Sequence, residues 1–285
     1  MTQVRGIRRI VAGSTQYDGA GVKLVRVVGH ADVQEFDPFL LLDAFDSTDP
    51  VEYIKGFPWH PHRGIETVTY LIHGDIEHGD SLGNSGRIVD GACQWMTAGS
   101  GILHQEMPQA APRLLGTQLW INLPRKDKMT APQYRDLQPE AIPRVQEEGC
   151  TVGVLSGHYG DVAGATQGDY VETLYLDVTM RSEAQWRLQT DPEATVFAYV
   201  IAGAGRLGDG EGPPIGGHRA ALMTPGSTFL ARSAAEGMRF LLLAARPLRE
   251  PVAWGGPIVM NTPDELRQAR AELQAGTFIR SAAGE

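Results

Sequence analysis

Short apolar runs broken by glycine, aspartate and proline fill most of the chain. Residues 1–35 alternate Ile7, Ile10-Val11, Val22, Leu24-Val25 and Val27-Val28 with Gly and Asp, the pattern of two or three short strands. Asp37-Pro38-Phe39-Leu40-Leu41-Leu42-Asp43-Ala44-Phe45 is apolar through its centre and bounded by turn formers, as a buried strand is. The β-branched and aromatic run 67–72 ends at His73-Gly74-Asp75, and Gly83-Asn84-Ser85-Gly86 supplies another tight break. Further strands are expected over 114–123, 151–155, 170–178, 194–201 and 239–245. One stretch differs. Thr262-Pro263-Asp264-Glu265 offers an N-cap, a first-turn proline and a capping-box glutamate. Leu266, Ala269 and Leu273 then recur at helical spacing, and Gly276 stands where a helix stops. The pattern is all-β with a short C-terminal helix.

The pattern also repeats. Tyr70-Leu71-Ile72-His73-Gly74 returns as Tyr199-Val200-Ile201-Ala202-Gly203, and Met96-Thr97-Ala98-Gly99-Ser100 as Met223-Thr224-Pro225-Gly226-Ser227, at offsets of 129 and 127 residues. Two copies of one strand-turn-strand unit imply duplicated β domains, which bury their edges best as barrels or double-sheet jelly rolls. The expected division is 1–132, a connection over 133–147 marked by Pro139 and Pro143, and 148–285. An intramolecular pair of barrels makes a monomer the expectation. Gly203-Ala204-Gly205-Arg206-Leu207-Gly208 matches a dinucleotide-binding pattern, but Asp209-Gly210-Glu211-Gly212-Pro213-Pro214 is no helix start, so a hairpin turn is expected.

Composition narrows the function classes. The 285 residues are 42% hydrophobic, with 34 glycines and 18 prolines, which fits a turn-rich globular chain. No apolar run reaches the length of a membrane span, and Met1 to Arg9 has no signal-peptide core. Two cysteines, Cys93 and Cys150, are too few for a disulfide framework and point to a reducing cytoplasm. Cys93 is expected to be a small buried apolar residue. A net charge of −9 without a basic block argues against direct nucleic-acid binding.

Candidate chemistry concentrates in 57–106. Phe57-Pro58-Trp59-His60-Pro61-His62-Arg63-Gly64 carries two histidines spaced i, i+2, and His104-Gln105-Glu106 a second such pair. Side chains two apart on a strand share a face, and Pro61 holds its neighbours extended. Two such strands side by side bring three imidazoles and a carboxylate to one point. Four N/O donors without thiolate suit Fe(II), Mn, Ni, Cu or Zn. A six-coordinate ion so held keeps two positions for reactants. Glu66 shares the parity of His60 and His62 and is the rival carboxylate; Glu106 is favoured as ligand because Gly64 breaks the strand before Glu66, which is placed in an outer layer. Carried across the repeat, His60 and His62 fall on Gln189 and Asp191, and His104 and Glu106 on Ala231 and Ser233. One metal per chain is therefore expected, in the N-terminal half. His73 and His78 are expected in turns or at the surface.

At these residues the sequence resembles the pirin family of the cupin superfamily. The match is carried by Asp37-Pro38-Phe39-Leu40, by 57–68, by Gln94-Trp95-Met96-Thr97-Ala98-Gly99, by Gly101-Ile102-Leu103-His104 with Glu106-Met107-Pro108, and by Gln118-Leu119-Trp120-Ile121-Asn122-Leu123-Pro124. Arg249-Glu250-Pro251 and Val259-Met260-Asn261-Thr262 extend it to the C-terminal end. The resemblance implies two tandem cupin domains with metal only in the first. It assigns His60, His62, His104 and Glu106 as ligands and Fe(2+) as the usual ion. It implies quercetin 2,3-dioxygenase activity, the opening of a flavonol ring with O2, with Glu106 as the base. Trp59, Arg63 and Trp120 are then expected to contact the small aromatic substrate. The same ligand set also fits the family's other described role, an iron-bound redox sensor that binds a protein partner without catalysis.

Overall fold

The computed structural model describes residues 3–210 and 212–280. The chain forms two compact units, each a cupin-type β structure with antiparallel pairing in its sheets. The first comprises Ser14–Val33, Phe39–Pro139 and Leu248–Glu285; the second comprises Met1–Gly13, Gln34–Pro38 and Glu140–Pro247.

Seven strands position the chemistry of the first unit: β1 (Phe57–His62), β2 (Ile65–His73), β3 (Ile76–Asp80), β4 (Cys93–Thr97), β5 (Ile102–Pro108), β6 (Leu114–Asn122) and β7 (Gln133–Leu137). A four-stranded sheet runs β1–β5–β3 and ends on Ser85–Ile88. A seven-stranded sheet runs β7–β4–β2–β6 and continues through Phe39–Ser47, Val22–Val28 and Ser14–Asp18. Strand β5 shows strict alternation, with Ile102, His104, Glu106 and Pro108 buried and the residues between them half-exposed, as a sheet with one face inward requires. One apolar cluster of this unit gathers Leu40, Leu41, Ile65, Met96, Ala98, Ile102, Trp120 and Val259.

The limits of the units depart from the expected division at residues 34–38, which join the second unit, and at three further places. Residues 7–11 pair with Arg219–Met223, so the first strand of the chain completes the second unit. The C-terminal helix, Pro263–Gln274, belongs to the first unit, where Ala269 packs with Ile258, Met260 and Phe278. The expected connection 133–147 is largely strand: β7 pairs with β4, and Arg144–Glu147 with Cys150–Ser156. Its prolines lie outside these strands, at residues 139 and 143, so they did not prevent pairing.

The helix itself forms as its sequence requires. Thr262 Oγ1 accepts from the Glu265 amide, and the Glu265 carboxylate accepts from the Thr262 amide.

The second unit repeats the register of the first: Val68 faces Trp95, and Phe197 faces Leu222, at the same offsets of 129 and 127. In it lie β8 (Gln185–Gln189), β9 (Thr195–Leu207) and β10 (Thr228–Ala245). The glycine-rich motif at 203–208 differs from the expected turn. Gly203 to Leu207 continue β9 against β10, with register shifts between Val200 and Ala202 and between Gly203 and Gly205, and the turn begins only at Gly208; Glu211 lies outside the described residues. A Cβ on Gly203 would meet the Gly237 carbonyl oxygen at 2.2 Å, and one on Gly205 the Arg232 oxygen at 2.6 Å, so close backbone approach explains both glycines.

Pairing also corrects the carry-over of the ligands. His60 faces His104 and His62 faces Ile102, whereas Ala231 faces Trp186 and Phe229 faces Leu188. Trp186 and Leu188, not Gln189 and Asp191, are the counterparts of the two histidines. The connection after the strand is longer in the second unit, residues 190–194 against 63–64, and that shifts the register. Trp186 fills the position with its indole, packed among Tyr159, Phe229 and Phe240.

Candidate metal centre

Antiparallel pairing of β1 with β5 sets His104 directly opposite His60, and cross-strand partners present side chains on one face. The ligating nitrogens of His60, His62 and His104 all lie within 4.8 Å of one another. His62 and His104 are fully buried, and His60 is half-buried. Backbone carbonyls orient two of the rings: His60 Nδ1 lies 2.9 Å from the Pro58 oxygen and His62 Nδ1 3.1 Å from the Pro257 oxygen. Each carbonyl accepts only, so each Nδ1 carries the hydrogen, and in a neutral ring so held Nε2 is the free ligating atom.

Those two Nε2 atoms are 3.1 Å apart. Burial pushes the His62 imidazole down to about 3, and His104 well below its ordinary range, so both are neutral. The His62 lone pair thus faces the His60 Nε2 at a distance suited to sharing a cation. His104 adds two buried ring nitrogens with no hydrogen-bond partner, an arrangement that is costly without a ligand. The donor set therefore fits a metal ion.

Glu106 is buried on the same inward face of β5 but stands outside the three-histidine group. The register of β5 against β1 shifts between His104 and Glu106, which sets the carboxylate opposite Phe57. Its Oε1 accepts from Thr69 Oγ1 at 2.8 Å and its Oε2 from Gln118 Nε2 at 2.7 Å. Across β5 from it stands His78, which faces Glu106 in the pairing of β3 with β5. His78 was expected at the surface; instead its side chain is buried, in contact with the Tyr134 hydroxyl and 3.3 Å from Asp136. Gly86 makes room for it, since a Cβ there would meet both His78 and Asp136 at 2.8 Å.

The remaining expected site residues divide. The Trp120 ring stands edge-on to His62, with centroids 5.0 Å apart, and forms a wall beside the histidines. Trp59 has the opposite parity to His60 and His62 and is 53% exposed, so it points away from them. Arg63 is buried and turned to the C-terminal segment: it pairs with Glu272 at 2.7 Å, donates to the Phe278 carbonyl and lies 4.1 Å over that ring. It contacts no histidine of the group in this arrangement and acts as an anchor. Glu66 was placed around the ligands, yet β2 is regular between Glu66 and Thr69, so the two point to opposite faces. Glu66 instead accepts from Thr97 Oγ1 at 2.7 Å, and burial raises its carboxyl above the ordinary range.

Thr69, Gln118, Tyr134, Asp136 and Lys128 were not anticipated. The Lys128 amine donates to the Gly64 oxygen at 2.7 Å, to Asn122 Oδ1 at 2.5 Å and to the Val259 oxygen at 3.0 Å. It pins the turn that leaves β1. Alternation along the strand could have singled out Thr69, and His78 stands two residues from Asp80 on its strand.

Comparison with known proteins agrees with this architecture. The Pirin family profile matches residues 21–121, and the Pirin C-terminal cupin domain matches residues 175–279. A pirin-like protein of Caulobacter vibrioides is 41% identical over 278 residues, covering 96% of this chain and 99% of its own. Human pirin is 40% identical over 264 residues, 91% of this chain and 89% of its own. The crystal structure of quercetin 2,3-dioxygenase from Acinetobacter baumannii superposes with a TM-score of 0.86 at 30% identity, over 96% of this chain and 98% of that one. Paired cupin units, a histidine group in the first and similarity over nearly the whole length together show that the chain belongs to the pirin family.

Proposed function

We propose that the protein is a metal-dependent dioxygenase of the quercetin 2,3-dioxygenase type, opening the central ring of a flavonol or related enol with O2. His60, His62, His104 and Glu106 are the proposed ligands of one divalent ion, with Fe(2+) as the proposed metal. The observation that carries the reading is the approach of the His60 and His62 Nε2 atoms to 3.1 Å beside the partnerless His104 ring. Similarity to the Acinetobacter enzyme supports the reaction class.

When bound, the ion supplies Lewis acidity that lets the flavonol 3-hydroxyl give up its proton near neutral pH and brings substrate and O2 together. The chain supplies the rest. Pro58 and Pro257 carbonyls hold the His60 and His62 rings in one tautomer. Glu106 is the proposed base for the 3-hydroxyl proton, taken on a carboxylate oxygen within the buried interior. Trp120 and Met96 belong to the apolar cluster beside the histidines, a surface against which a planar aromatic substrate lies without losing hydrogen bonds.

Oxygen consumption after addition of quercetin to iron-loaded protein tests the proposal. Uptake that requires quercetin and disappears in His104→Ala is expected. Absence of uptake in fully iron-loaded wild type would overturn it.

A further inference from the structure

Glu106 is the one proposed ligand whose ligating atoms are held by hydrogen bonds from neighbouring side chains, and the residues holding it form a closed chain. Thr69 on β2 and Gln118 on β6 are direct cross-strand partners in the seven-stranded sheet, while Glu106 comes from β5 in the four-stranded sheet. Thr69 Oγ1 donates to Glu106 Oε1 at 2.8 Å, and Gln118 Nε2 donates both to Glu106 Oε2 at 2.7 Å and to Thr69 Oγ1 at 3.2 Å. Trp120 Nε1 donates to Gln118 Oε1 at 3.3 Å.

That last contact fixes the sense of the others. The indole is a donor only, so the oxygen end of Gln118 must face Trp120 and the amide NH2 must face Glu106. Thr69 accepts from the amide with its lone pair and spends its hydrogen on the carboxylate. Both Glu106 oxygens are thereby presented as acceptors in one orientation, with all three side chains buried.

We propose that Thr69 and Gln118 are positioning residues for Glu106, aiming its carboxylate at the metal held by the three histidines and coupling it through Gln118 to the Trp120 wall. This rests on the four-ligand centre proposed above. Hydrogen-bonded supports of metal ligands change affinity by about 10–100-fold when removed.

Cobalt(II) is the probe, because its visible absorption reports the donor set independently of turnover. Wild type, Thr69→Val, Thr69→Ser, Gln118→Leu, Glu106→Gln and His104→Ala are titrated with cobalt(II) and their spectra compared. Thr69→Val and Gln118→Leu are expected to bind about 10–100-fold more weakly and to shift the absorption bands in the direction of Glu106→Gln. Thr69→Ser, which keeps the hydroxyl, should stay near wild type. Thermal unfolding of the metal-free variants separates loss of aim from loss of fold. If Gln118→Leu does not fold, Gln118→Asn, with the amide on a shorter arm, is expected to show the same direction of change. Wild-type affinity and spectrum in Thr69→Val and in the Gln118 variant, with Glu106→Gln altered, would overturn the positioning role and leave the centre standing. A Glu106→Gln or His104→Ala protein indistinguishable from wild type would instead sink the four-ligand centre.

Discussion

A histidine that stays neutral inside a protein makes stability depend on pH, and here two do. An unfolded imidazole titrates near about 6.5, whereas burial holds His62 at about 3 and His104 well below its ordinary value. Between those limits the unfolded chain binds protons that the folded chain refuses, so stability falls as pH falls. The slope approaches about 1.4 kcal/mol per pH unit for each such group. Urea midpoints of the metal-free protein should therefore drop between pH 6.5 and 4.5, and a His62→Gln variant should show a shallower drop. The residue scale is also where reading from sequence succeeded and failed most sharply. His60 and His62 were legible as a pair because an i, i+2 spacing around Pro61 puts both rings on one face. Arg63 was misassigned because one of its partners, Phe278, is 215 residues away, and nothing in the local run reveals it. Thr69 and Gln118 went unnoticed because neutral polar residues in β-rich segments carry no spacing signature.

Among elements, the turn from β1 to β2 is under the tightest constraint. Gly64 has φ +77°, and a Cβ there would sit 2.0 Å from the Val259 carbonyl oxygen. Gly64→Ala must displace the strand Ile258–Met260 or the end of β1. A loss of about 2 kcal/mol or more is expected from strain in the left-handed region and the clash together. Because His62 lies two residues before, metal affinity should fall with it; chemical denaturation and cobalt(II) titration check the two effects. Lys128 braces the same turn. Burial pushes its amine down to about 7, but three acceptors match the three N–H bonds of an ammonium, and they hold the charge in place. Lys128→Met leaves those acceptors dry and should cost about 3 kcal/mol by urea unfolding. Strands and the C-terminal helix were legible from alternation and capping. The 133–147 segment was not, because prolines at 139 and 143 resemble a linker until its strands find partners in β4 and in Cys150–Ser156.

Over the whole molecule, the duplication was legible from the two repeat offsets, but the exchange of terminal segments was not, since pairing partners of strands leave no mark in either sequence. The pair of buried Arg63 with half-buried Glu272 ties the C-terminal helix to the end of the histidine strand. Among the described residues, Glu272→Ala leaves the buried guanidinium with the Phe278 carbonyl and ring. A loss of about 3 kcal/mol is expected, seen as earlier melting of the first unit, with restoration by Glu272→Asp no more than partial because the reach is shorter.

The Pro257 carbonyl that sets the His62 ring lies 195 residues downstream of it. On the ribosome, β1 and β5 emerge long before that carbonyl does, so His62 is without its orienting acceptor until nearly the entire polypeptide has been made. If the proposed ion binds there, its loading is expected to follow translation instead of accompanying it. A prematurely terminated product would carry all of its imidazoles and still hold the ion poorly.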